Sequence, residues 1–467
     1  MSGKITYHKT PVYYGEQVVD EFVPKKYRVK YLEVPHQPPS FPDLAEKLDE
    51  VIRNPVDGPT MQELVAERYE KGKPVVFLVD DNTRPNVHTK ILLPPIRQYL
   101  IDELGVDVDD IRYMIVTGTH AAPPEGDLEI KIFGPALYQV DAQDDSPIKN
   151  GNVWIHSCRE GNREIGTTQA GTPVMIDERV LDAAFLIGLS DSEWHYFAGQ
   201  AGTVKQICPG CADRLTINTN HSYTFDVETG FKPLARMGSV GDNPVLKDMR
   251  EIAGMVEAIV PIFSFDCIVD HGRIVELQSG KLIENHWRIT EILKKWRNVP
   301  IDEAADIVIL SAGKLGINWY QGTKGVDSSS FAVKPGGHVL IMAVCRDGVG
   351  SDPYYNAMLA VENMNLDDGM RWLVENTCTV ETFEIGNQNP VNLFMLLKKI
   401  GEGHLHLYAD MDYDILSKFR GNCVPHKESV QAAIRTRVEE MASEIDDPLI
   451  YIFQDMNNFA QLTEKND

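Results

Sequence analysis

The sequence contains few cysteines and no long apolar segment. Seven cysteines among 467 residues are too few, and odd in number, for a disulfide framework, so a reducing compartment, the cytoplasm, is expected. No apolar run approaches the roughly 20 residues of a membrane-spanning helix, and the first residues lack the apolar core of a signal peptide. These absences argue against a disulfide-stabilised secreted protein and predict that no membrane is a partner.

Basic residues are also scarce relative to acidic ones. The chain has 45 Lys and Arg against 69 Asp and Glu, which gives a formal net charge of −24. Such a surface repels the phosphates of nucleic acids and anionic lipids, so neither is expected as a partner. A small anionic substrate would therefore need a locally basic site. The composition is otherwise ordinary, with 43% hydrophobic and 24% charged residues, as is typical of packed globular proteins.

Short runs rich in Val, Ile and Leu alternate with longer amphipathic stretches, which predicts two α/β domains with mostly parallel sheets. We predict an N-terminal domain over residues 1–275, a helical connector over 276–299 and a C-terminal domain over 300–467. The predicted strands are Val75–Val79, Arg112–Val116, Ala183–Leu189, Asp306–Leu310, His338–Val344 and Leu449–Phe453. The predicted helices are His88–Leu104, Gly280–Trp296, Met358–Val374, Val391–Ile400 and Ser429–Glu444.

Polar residues cluster after the predicted strands, where parallel α/β sheets bind their ligands. The sequence Asp-Asp-Asn-Thr-Arg-Pro over residues 80–85 places carboxylates beside the guanidinium of Arg84, which could bind an anion. Helix capping is the alternative interpretation of this motif. The sequence Thr-Gly-Thr-His over residues 117–120 places His120 after the next strand, where it could act as a base or as an ordinary loop histidine.

The segment after the third strand is the richest in candidate residues. It carries His195, Lys205 and His221 around a loop of small residues that lets the backbone approach a ligand closely. Lys205 could become a nucleophile if it were desolvated, and a solvated lysine is the alternative. Cys208 and Cys211 form a Cys-x-x-Cys pair, for which a redox pair, half of a zinc site and two packed cysteines all remain open.

A further polar cluster, residues 318–325, follows the strand predicted at Asp306–Leu310. Gln321 and Lys324 are three residues apart and would share one face of a helix. Both could bind a carboxylate, and an exposed helical turn is the alternative interpretation. Taken alone, this pattern is not specific.

Taken together, these motifs resemble the nickel-dependent lactate racemase family. The resemblance is carried by Asp-Asp-Asn-Thr-Arg-Pro, by Thr-Gly-Thr-His, by the spacing of His195, Lys205 and His221, and by Tyr-Gln-Gly-Thr-Lys over residues 320–324. The resemblance implies that the N-terminal domain binds a nickel-pincer nucleotide. This cofactor is the nickel complex of pyridinium-3-thioamide-5-thiocarboxylic acid mononucleotide, and it requires cofactor-maturation enzymes as partners.

The resemblance also implies a role for each matched residue. Lys205 would hold the cofactor covalently, and His221 would bind nickel. His120 and His195 would be the paired acid and base. The remaining matched residues would bind the substrate carboxylate (Arg84, Gln321 and Lys324) or the cofactor (Asp81 and Tyr320).

The implied reaction is the racemisation or epimerisation of a small anionic 2-hydroxy acid. One histidine takes the hydroxyl proton while hydride passes to the cofactor, and the planar 2-keto acid then accepts hydride on its other face. Imidazole suits both tasks, because its pKa lies near neutrality and it binds nickel well. We expect the active site in the cleft between the two domains. The alternative is a family member that lacks nickel and acts on a small carboxylate, or merely binds it.

Overall fold

The computed structural model describes residues 5–34, 37–142, 145–314, 316–454, 456 and 459–462. The chain forms two units: unit 1 comprises residues 1–36, 225–233 and 296–467, and unit 2 comprises residues 37–224 and 234–295. The predicted division at residues 275 and 300 follows chain order, whereas the units are interleaved along the chain. No helix in the described ranges is long and apolar enough to cross a membrane.

The strands and helices are numbered in chain order. The strands are β1 (Val12–Tyr14), β2 (Gln17–Val19), β3 (Arg28–Leu32), β4 (Val75–Asp80), β5 (Ile111–Val116), β6 (Val153–Ile155), β7 (Asn162–Thr167), β8 (Pro173–Asp177), β9 (Phe185–Asp191), β10 (Trp194–His195), β11 (Gly199–Gln200), β12 (Phe225–Asp226), β13 (Gly230–Phe231), β14 (Ile262–Asp270), β15 (Arg273–Lys281), β16 (Asn298–Ile301), β17 (Ala305–Ser311), β18 (Val333–Ala343), β19 (Leu405–Ala409), β20 (Asn422–Cys423), β21 (Leu449–Phe453) and β22 (Phe459–Leu462). The α-helices are α1 (Leu44–Arg53), α2 (Met61–Arg68), α3 (Val87–Asp102), α4 (Glu125–Asp127), α5 (Glu178–Leu181), α6 (Thr203–Ile207), α7 (Arg214–Ser222), α8 (Pro244–Glu257), α9 (Leu282–Arg297), α10 (Trp319–Gly322), α11 (Lys324–Ala332), α12 (Asp352–Ala360), α13 (Leu366–Thr377), α14 (Gln388–Ile400), α15 (Tyr413–Leu416) and α16 (Val430–Ser443). A π-helical segment covers Leu128–Phe133, and short 3-10 turns cover Val108–Asp110, Val140–Ala142, Asn150–Asn152 and Ser417–Phe419.

Unit 2 is built on a sheet whose described strands have the order β15-β14-β9-β4-β5-β6. All neighbouring pairs are parallel except β14 and β15, which form an antiparallel hairpin. Strand β4 is buried along almost its whole length, as is typical of a parallel strand covered on both faces. In the core, Phe77 of β4 stacks on Tyr113 of β5 with ring centroids 5.6 Å apart.

Unit 1 is built on a parallel sheet whose described strands have the order β20-β19-β18-β17-β21-β3. Strand β3, from the start of the chain, pairs with β21 near its end. Ile307 and Ile309 of β17 are fully buried, and they belong to one apolar cluster with Ile450 of β21 and Val438 of α16. This N-terminal contribution to the sheet explains why unit 1 includes residues 1–36.

The α/β class with mostly parallel sheets is confirmed. Every predicted strand is present, Leu449–Phe453 with the predicted bounds and the other five with shifts at their ends. The helix predicted over residues 358–374 is wrong, because two helices, α12 and α13, occupy this region. Asn365 separates them: its side chain accepts a hydrogen bond from Asp368 N at 2.9 Å and so begins a new helix.

The connector region differs from its prediction in a second way. Residues 262–281 form the β14–β15 hairpin, which extends the sheet of unit 2, and only the following α9 matches the predicted helix. Phe263 and Phe265 of β14 belong to the apolar core. Ser264 and Asp266, on the other face, are fully buried as well. Strand β14 is therefore buried on both faces, but it was not predicted because one of these faces consists of polar residues.

Candidate functional site

Three loops that carry predicted residues follow neighbouring strands of unit 2. Residues 80–85 begin at the end of β4, residues 117–120 follow β5, and the segment that carries His195 follows β9. The order β9-β4-β5 in the sheet makes these strands adjacent and parallel. Their carboxyl ends therefore lie along one edge of the sheet, which is where α/β proteins bind ligands.

A hydrogen-bonded pair joins the loops after β4 and β5. His120 Nδ1 lies 2.6 Å from Asp81 Oδ2, and the side chain of Asp81 is 4% exposed while that of His120 is 34% exposed. Burial raises the pKa of Asp81, but hydrogen bonds from His120 and Thr83 and the charge of Arg84 outweigh this effect and hold the pKa below its usual value. An ionised carboxylate only accepts hydrogen bonds, so His120 Nδ1 carries a proton and the lone pair of the neutral ring is on Nε2.

The loop after β4 is held by Asn86, a residue that the sequence motifs did not single out. Asn86 is fully buried and has a left-handed backbone with φ of 52°, which asparagine tolerates better than most residues. Its Nδ2 donates hydrogen bonds to the carbonyls of Asp81 at 2.8 Å and Arg84 at 3.2 Å. The loop is thereby closed into a turn in which the Arg84 side chain is exposed.

His195 lies on the β10–β11 hairpin that follows β9. Its ring stacks on Tyr196 and meets Phe197 edge-on, with ring centroids 4.9 and 4.6 Å apart. The Phe197 ring also contacts His221, at a centroid distance of 5.2 Å. His195 Nδ1 accepts a hydrogen bond from Ala198 N at 3.2 Å, so the neutral ring carries its proton on Nε2. His195 and His221 thus contact one phenylalanine ring.

Lys205 and His221 lie on two successive short helices, α6 and α7. Helix α6 is fixed at its C-terminal end, where Gly210 N donates a hydrogen bond to the Lys205 carbonyl at 2.9 Å. Burial, together with the nearby charge of Lys205, lowers the pKa of His221 to about 3, so its imidazole is neutral at pH 7. His221 Nδ1 lies 3.2 Å from Asn220 Oδ1, which is an acceptor. The lone pair of His221 is therefore on Nε2.

The Cys-x-x-Cys segment lies directly behind the loop after β5. Cys208 and Cys211 are buried free thiols, and burial raises the pKa of both, so neither is an activated nucleophile. Gly210 O accepts a hydrogen bond from Gly118 N at 3.1 Å, and a side chain at Gly118 would lie 3.3 Å from the Pro209 carbonyl oxygen. These contacts favour two packed cysteines that support the neighbouring loop.

The remaining predicted residues lie in unit 1, after β17. Tyr320 and Gln321 are on α10, and Lys324 is the first residue of α11. Asn318 caps α10 by accepting a hydrogen bond from Gln321 N at 2.9 Å. All three predicted side chains are half-buried and lie on consecutive helical turns. Their grouping with the histidines of unit 2 stays a prediction.

Comparison with known families shows to which group this arrangement belongs. The family profile described as "Lactate racemase N-terminal domain" matches residues 14–231, and the profile described as "Lactate racemase C-terminal domain" matches residues 301–382. The chain belongs to the lactate racemase family. Members of the family are racemases, and the chain is accordingly an isomerase.

Curated relatives and solved structures agree with membership of the lactate racemase family. A lactate racemase of Thermoanaerobacterium thermosaccharolyticum is 29% identical over 314 residues, which cover 66% of this chain and 68% of the relative. A lactate racemase of Lactiplantibacillus plantarum is 26% identical over 326 residues, which cover 68% of this chain and 70% of the relative.

Two solved structures share the fold of this lactate racemase family member. The lactate racemase apoprotein from T. thermosaccharolyticum superposes with a TM-score of 0.78 at 22% identity, covering 98% of this chain and all of the other. A crystal structure of a protein from Thermotoga maritima gives a TM-score of 0.62 at 15% identity, covering 91% of this chain and all of the other. At these identities the superpositions support the fold alone.

In this lactate racemase family member, several buried polar residues near the predicted site were missed from the sequence. Gln206 Nε2 donates hydrogen bonds to Asp80 Oδ1 at 2.9 Å and to the Leu189 carbonyl at 2.6 Å, so it ties α6 to the ends of β4 and β9. The sequence could have indicated Gln206 only through its position, since it is a polar residue directly after Lys205. The other missed residues are Asn86, Asp266 and His286.

Proposed function

We propose that this chain racemises or epimerises a small anionic 2-hydroxy acid by proton-coupled hydride transfer with a nickel-pincer nucleotide. The observation that carries the proposal is the neutral, buried His221 beside Lys205 and in contact, through Phe197, with His195. Membership of the lactate racemase family supports the reaction type. Because both curated relatives are lactate racemases, lactate is the first substrate to test.

The donor set around His221 fits this cofactor. In the described ranges, no group of three or more His, Cys, Asp or Glu side chains is arranged to hold a metal ion, so a nickel ion would need most of its ligands from an organic group. A sulfur–carbon–sulfur pincer supplies such ligands, and His221 offers the neutral imidazole that divalent metals prefer. Lys205 would provide the amine for covalent attachment, and Asp81 and Tyr320 would contact the cofactor.

When bound, the cofactor supplies the acceptor and donor of hydride at the substrate carbon. The chain supplies the binding groups, and we assign Arg84, Gln321 and Lys324 to the substrate carboxylate. Guanidinium and ammonium groups form strong charge-assisted hydrogen bonds with carboxylates. Such local cations are needed because the protein as a whole carries a net charge of −24.

We assign the exchange of the hydroxyl proton to His120 and His195, whose rings rest in different tautomers. His120 has its lone pair on Nε2, and the carboxylate of Asp81 would stabilise the imidazolium that forms when the ring accepts a proton. His195 has its proton on Nε2 and its lone pair turned toward Ala198 N. To act as a base through Nε2, the His195 ring must move its proton to Nδ1 and give up this contact. The two enantiomers should therefore react at different rates in a single turnover.

The decisive experiment measures cofactor attachment and racemisation in the same preparations. Protein produced together with the cofactor-maturation enzymes should carry a covalent adduct on Lys205, visible by intact mass and peptide mapping, and should racemise at least one acid in a panel of lactate, malate-like diacids and sugar acids. Lys205→Ala should lose the adduct, whereas the matched variant Lys324→Ala should keep it and lose activity. An adduct on another lysine, or full activity without nickel, would contradict the proposal and favour a family member that lacks nickel.

We also propose that the protein works in the cytoplasm, where the maturation enzymes would load its cofactor. In the described part of the chain, the cysteines are free thiols, which suits a reducing compartment. Fractionation of the native host, with the loaded protein followed by its adduct mass, tests this assignment. Recovery of the protein outside the cytoplasm would contradict it.

A further inference from the structure

The loop that leads into Lys205 lies against two buried polar side chains that no sequence motif contains. This loop comprises residues 199–203, and Lys205 follows on α6. Its Gly202 has φ of 130°, and a Cβ at this position would lie 2.9 Å from His286 Cδ2 and 3.2 Å from Asp266 Oδ1. Only glycine fits both the conformation and the close approach. Asp266 and His286 thus enclose the loop one residue before α6 begins.

Asp266 binds the first residue of α6. Its Oδ1 accepts hydrogen bonds from Thr203 N at 3.0 Å and Thr203 Oγ1 at 3.2 Å, and its Oδ2 accepts one from Asn285 Nδ2 at 2.9 Å. The side chain is fully buried, and burial raises its pKa to about 6. Among the described residues, its hydrogen-bond partners Thr203, Asn285 and Ser264 are all neutral. Burial of a carboxylate without a cationic partner reduces the stability of the folded state. The presence of Asp266 at this position therefore indicates a role other than stability.

His286 binds the adjacent residue of the loop. Its Nε2 lies 3.2 Å from the Ala201 carbonyl oxygen, and its Nδ1 lies 3.2 Å from Arg250 NH2. A guanidinium only donates and a carbonyl only accepts, so both nitrogens have defined roles: Nδ1 accepts and Nε2 donates. Arg250 is itself fixed over the ring of Trp287, 3.5 Å from its centroid. His286 on α9 is thus held by Arg250 on α8, and it in turn holds the Ala201 carbonyl of the loop.

We propose that Asp266 and His286 are positioning residues that hold the 199–203 loop in one conformation and so present the Lys205 amine for cofactor attachment. The proposal rests on the function proposed above for Lys205. Asp266 lies on β14 and His286 on α9, within the part of the chain whose sequence shows no functional motif. A displacement of about 1 Å at a reacting group can reduce a rate by about a hundredfold, so a loop fixed at two successive points has a clear chemical use.

Two measurements test this positioning, and the first needs no cofactor. In cofactor-free protein, the acylation rate of Lys205 by an amine-reactive ester is measured by peptide mapping relative to the exposed Lys149. In protein produced with the maturation enzymes, the fraction of Lys205 that carries the adduct is measured by mass. The variants are Asp266→Ala and His286→Asn, whose shorter amide cannot reach Ala201. The matched control is Ser279→Ala, which removes a buried hydrogen-bonding group of the neighbouring strand β15 whose hydroxyl donates to the Val51 carbonyl.

Release of the loop should open the half-buried Lys205 amine to the small ester and misplace it for the cofactor. We therefore expect relative acylation of Lys205 to rise about tenfold and adduct formation to fall by a similar factor in both variants. Ser279→Ala should match the wild type in both measurements. His286→Gln should restore the wild-type values, because its amide nitrogen can occupy the position of Nε2 and donate to Ala201. If Asp266→Ala does not fold, the comparison of His286→Asn with His286→Gln decides alone.

Unchanged acylation of Lys205 in His286→Asn, or failure of His286→Gln to restore it, would overturn the positioning role. This outcome is distinct from failure of the proposed function. If wild-type protein carries no adduct on Lys205, the function fails, whereas the acylation ratios still report whether the two residues hold the loop.

Discussion

The Asp81–His120 pair provides the sharpest test of the proposed proton transfer. Replacing Asp81 by Asn removes the charge that His120 Nδ1 contacts at 2.6 Å and keeps the shape of the side chain. A hydrogen bond to a charged partner contributes about 1.5–3 kcal/mol, and each 1.4 kcal/mol or so corresponds to a factor of about ten in rate. The new amide could also donate to Nδ1 and so displace the ring proton to Nε2. We expect racemisation to slow by at least about 10- to 100-fold.

The assay is the initial rate of racemisation from each pure enantiomer, followed by chiral chromatography with cofactor-loaded protein. The matched control is Thr83→Val, which removes a hydroxyl hydrogen bond to Asp81 Oδ1 but keeps the carboxylate and its contact with His120. Adduct formation on Lys205 is measured in both variants, and the rates are compared per molecule of loaded protein, so that a rate difference reports proton transfer. A wild-type rate in Asp81→Asn, or an equal loss in Thr83→Val, would refute the assignment of His120 as a base oriented by Asp81.

Three further predictions concern stability. Gly202→Ala should lower the free energy of unfolding by about 1–3 kcal/mol, because the residue would be strained at φ of 130°; Gly241→Ala, which faces open space, should leave it unchanged in denaturant titrations. Burial lowers the pKa of His406 to about 3, below the usual value of about 6.5. Stability should therefore be full above about pH 6.5 and should fall as the pH drops toward 3, and urea titrations of His406→Gln should show a weaker dependence. The double substitution Cys208→Ser and Cys211→Ser should lower the melting temperature without changing the bound metal, whereas loss of metal would revive the zinc interpretation.

The strands could be predicted from the sequence wherever both faces are apolar. Val75–Val79 and Leu449–Phe453 are of this kind, and they appear as β4 and β21 with nearly the predicted ends. Strand β14 could not be predicted in the same way, because Ser264 and Asp266 bury a polar face through hydrogen bonds with α6 and α9. The pattern of hydrophobic residues predicts burial only where the buried side chains are apolar. A face of buried, hydrogen-bonded polar side chains is not recognised in this way. The order of strands in the sheets could not be predicted either, because pairings such as β3 with β21 join distant parts of the chain.

The candidate site was predictable where residue type and motif order coincide. The motifs identified Asp81, His120 and Lys205, and the structure pairs the first two through a short hydrogen bond. Residues that act through other residues gave no signal of their own. Asn86 forms a left-handed turn, and His286 donates a hydrogen bond to a backbone carbonyl. Neither role depends on a sequence motif around the residue. Supporting residues of this kind become visible only when hydrogen-bond partners are known.

The pairing of β3 with β21 has a consequence for the order in which the chain can fold during synthesis. Arg28 of β3 contacts Asp447, which lies 419 positions later, and ribosomes add about 5–20 residues per second. The first strand of the unit 1 sheet must therefore wait about 20 seconds or more for its neighbour. The segments of unit 2 are complete by residue 295, so the part that carries His120, Lys205 and His221 can fold while the unit 1 sheet is still unfinished. An early-emerging edge strand such as β3 is in the meantime exposed to wrong partners, and chaperone binding to nascent chains should be concentrated there.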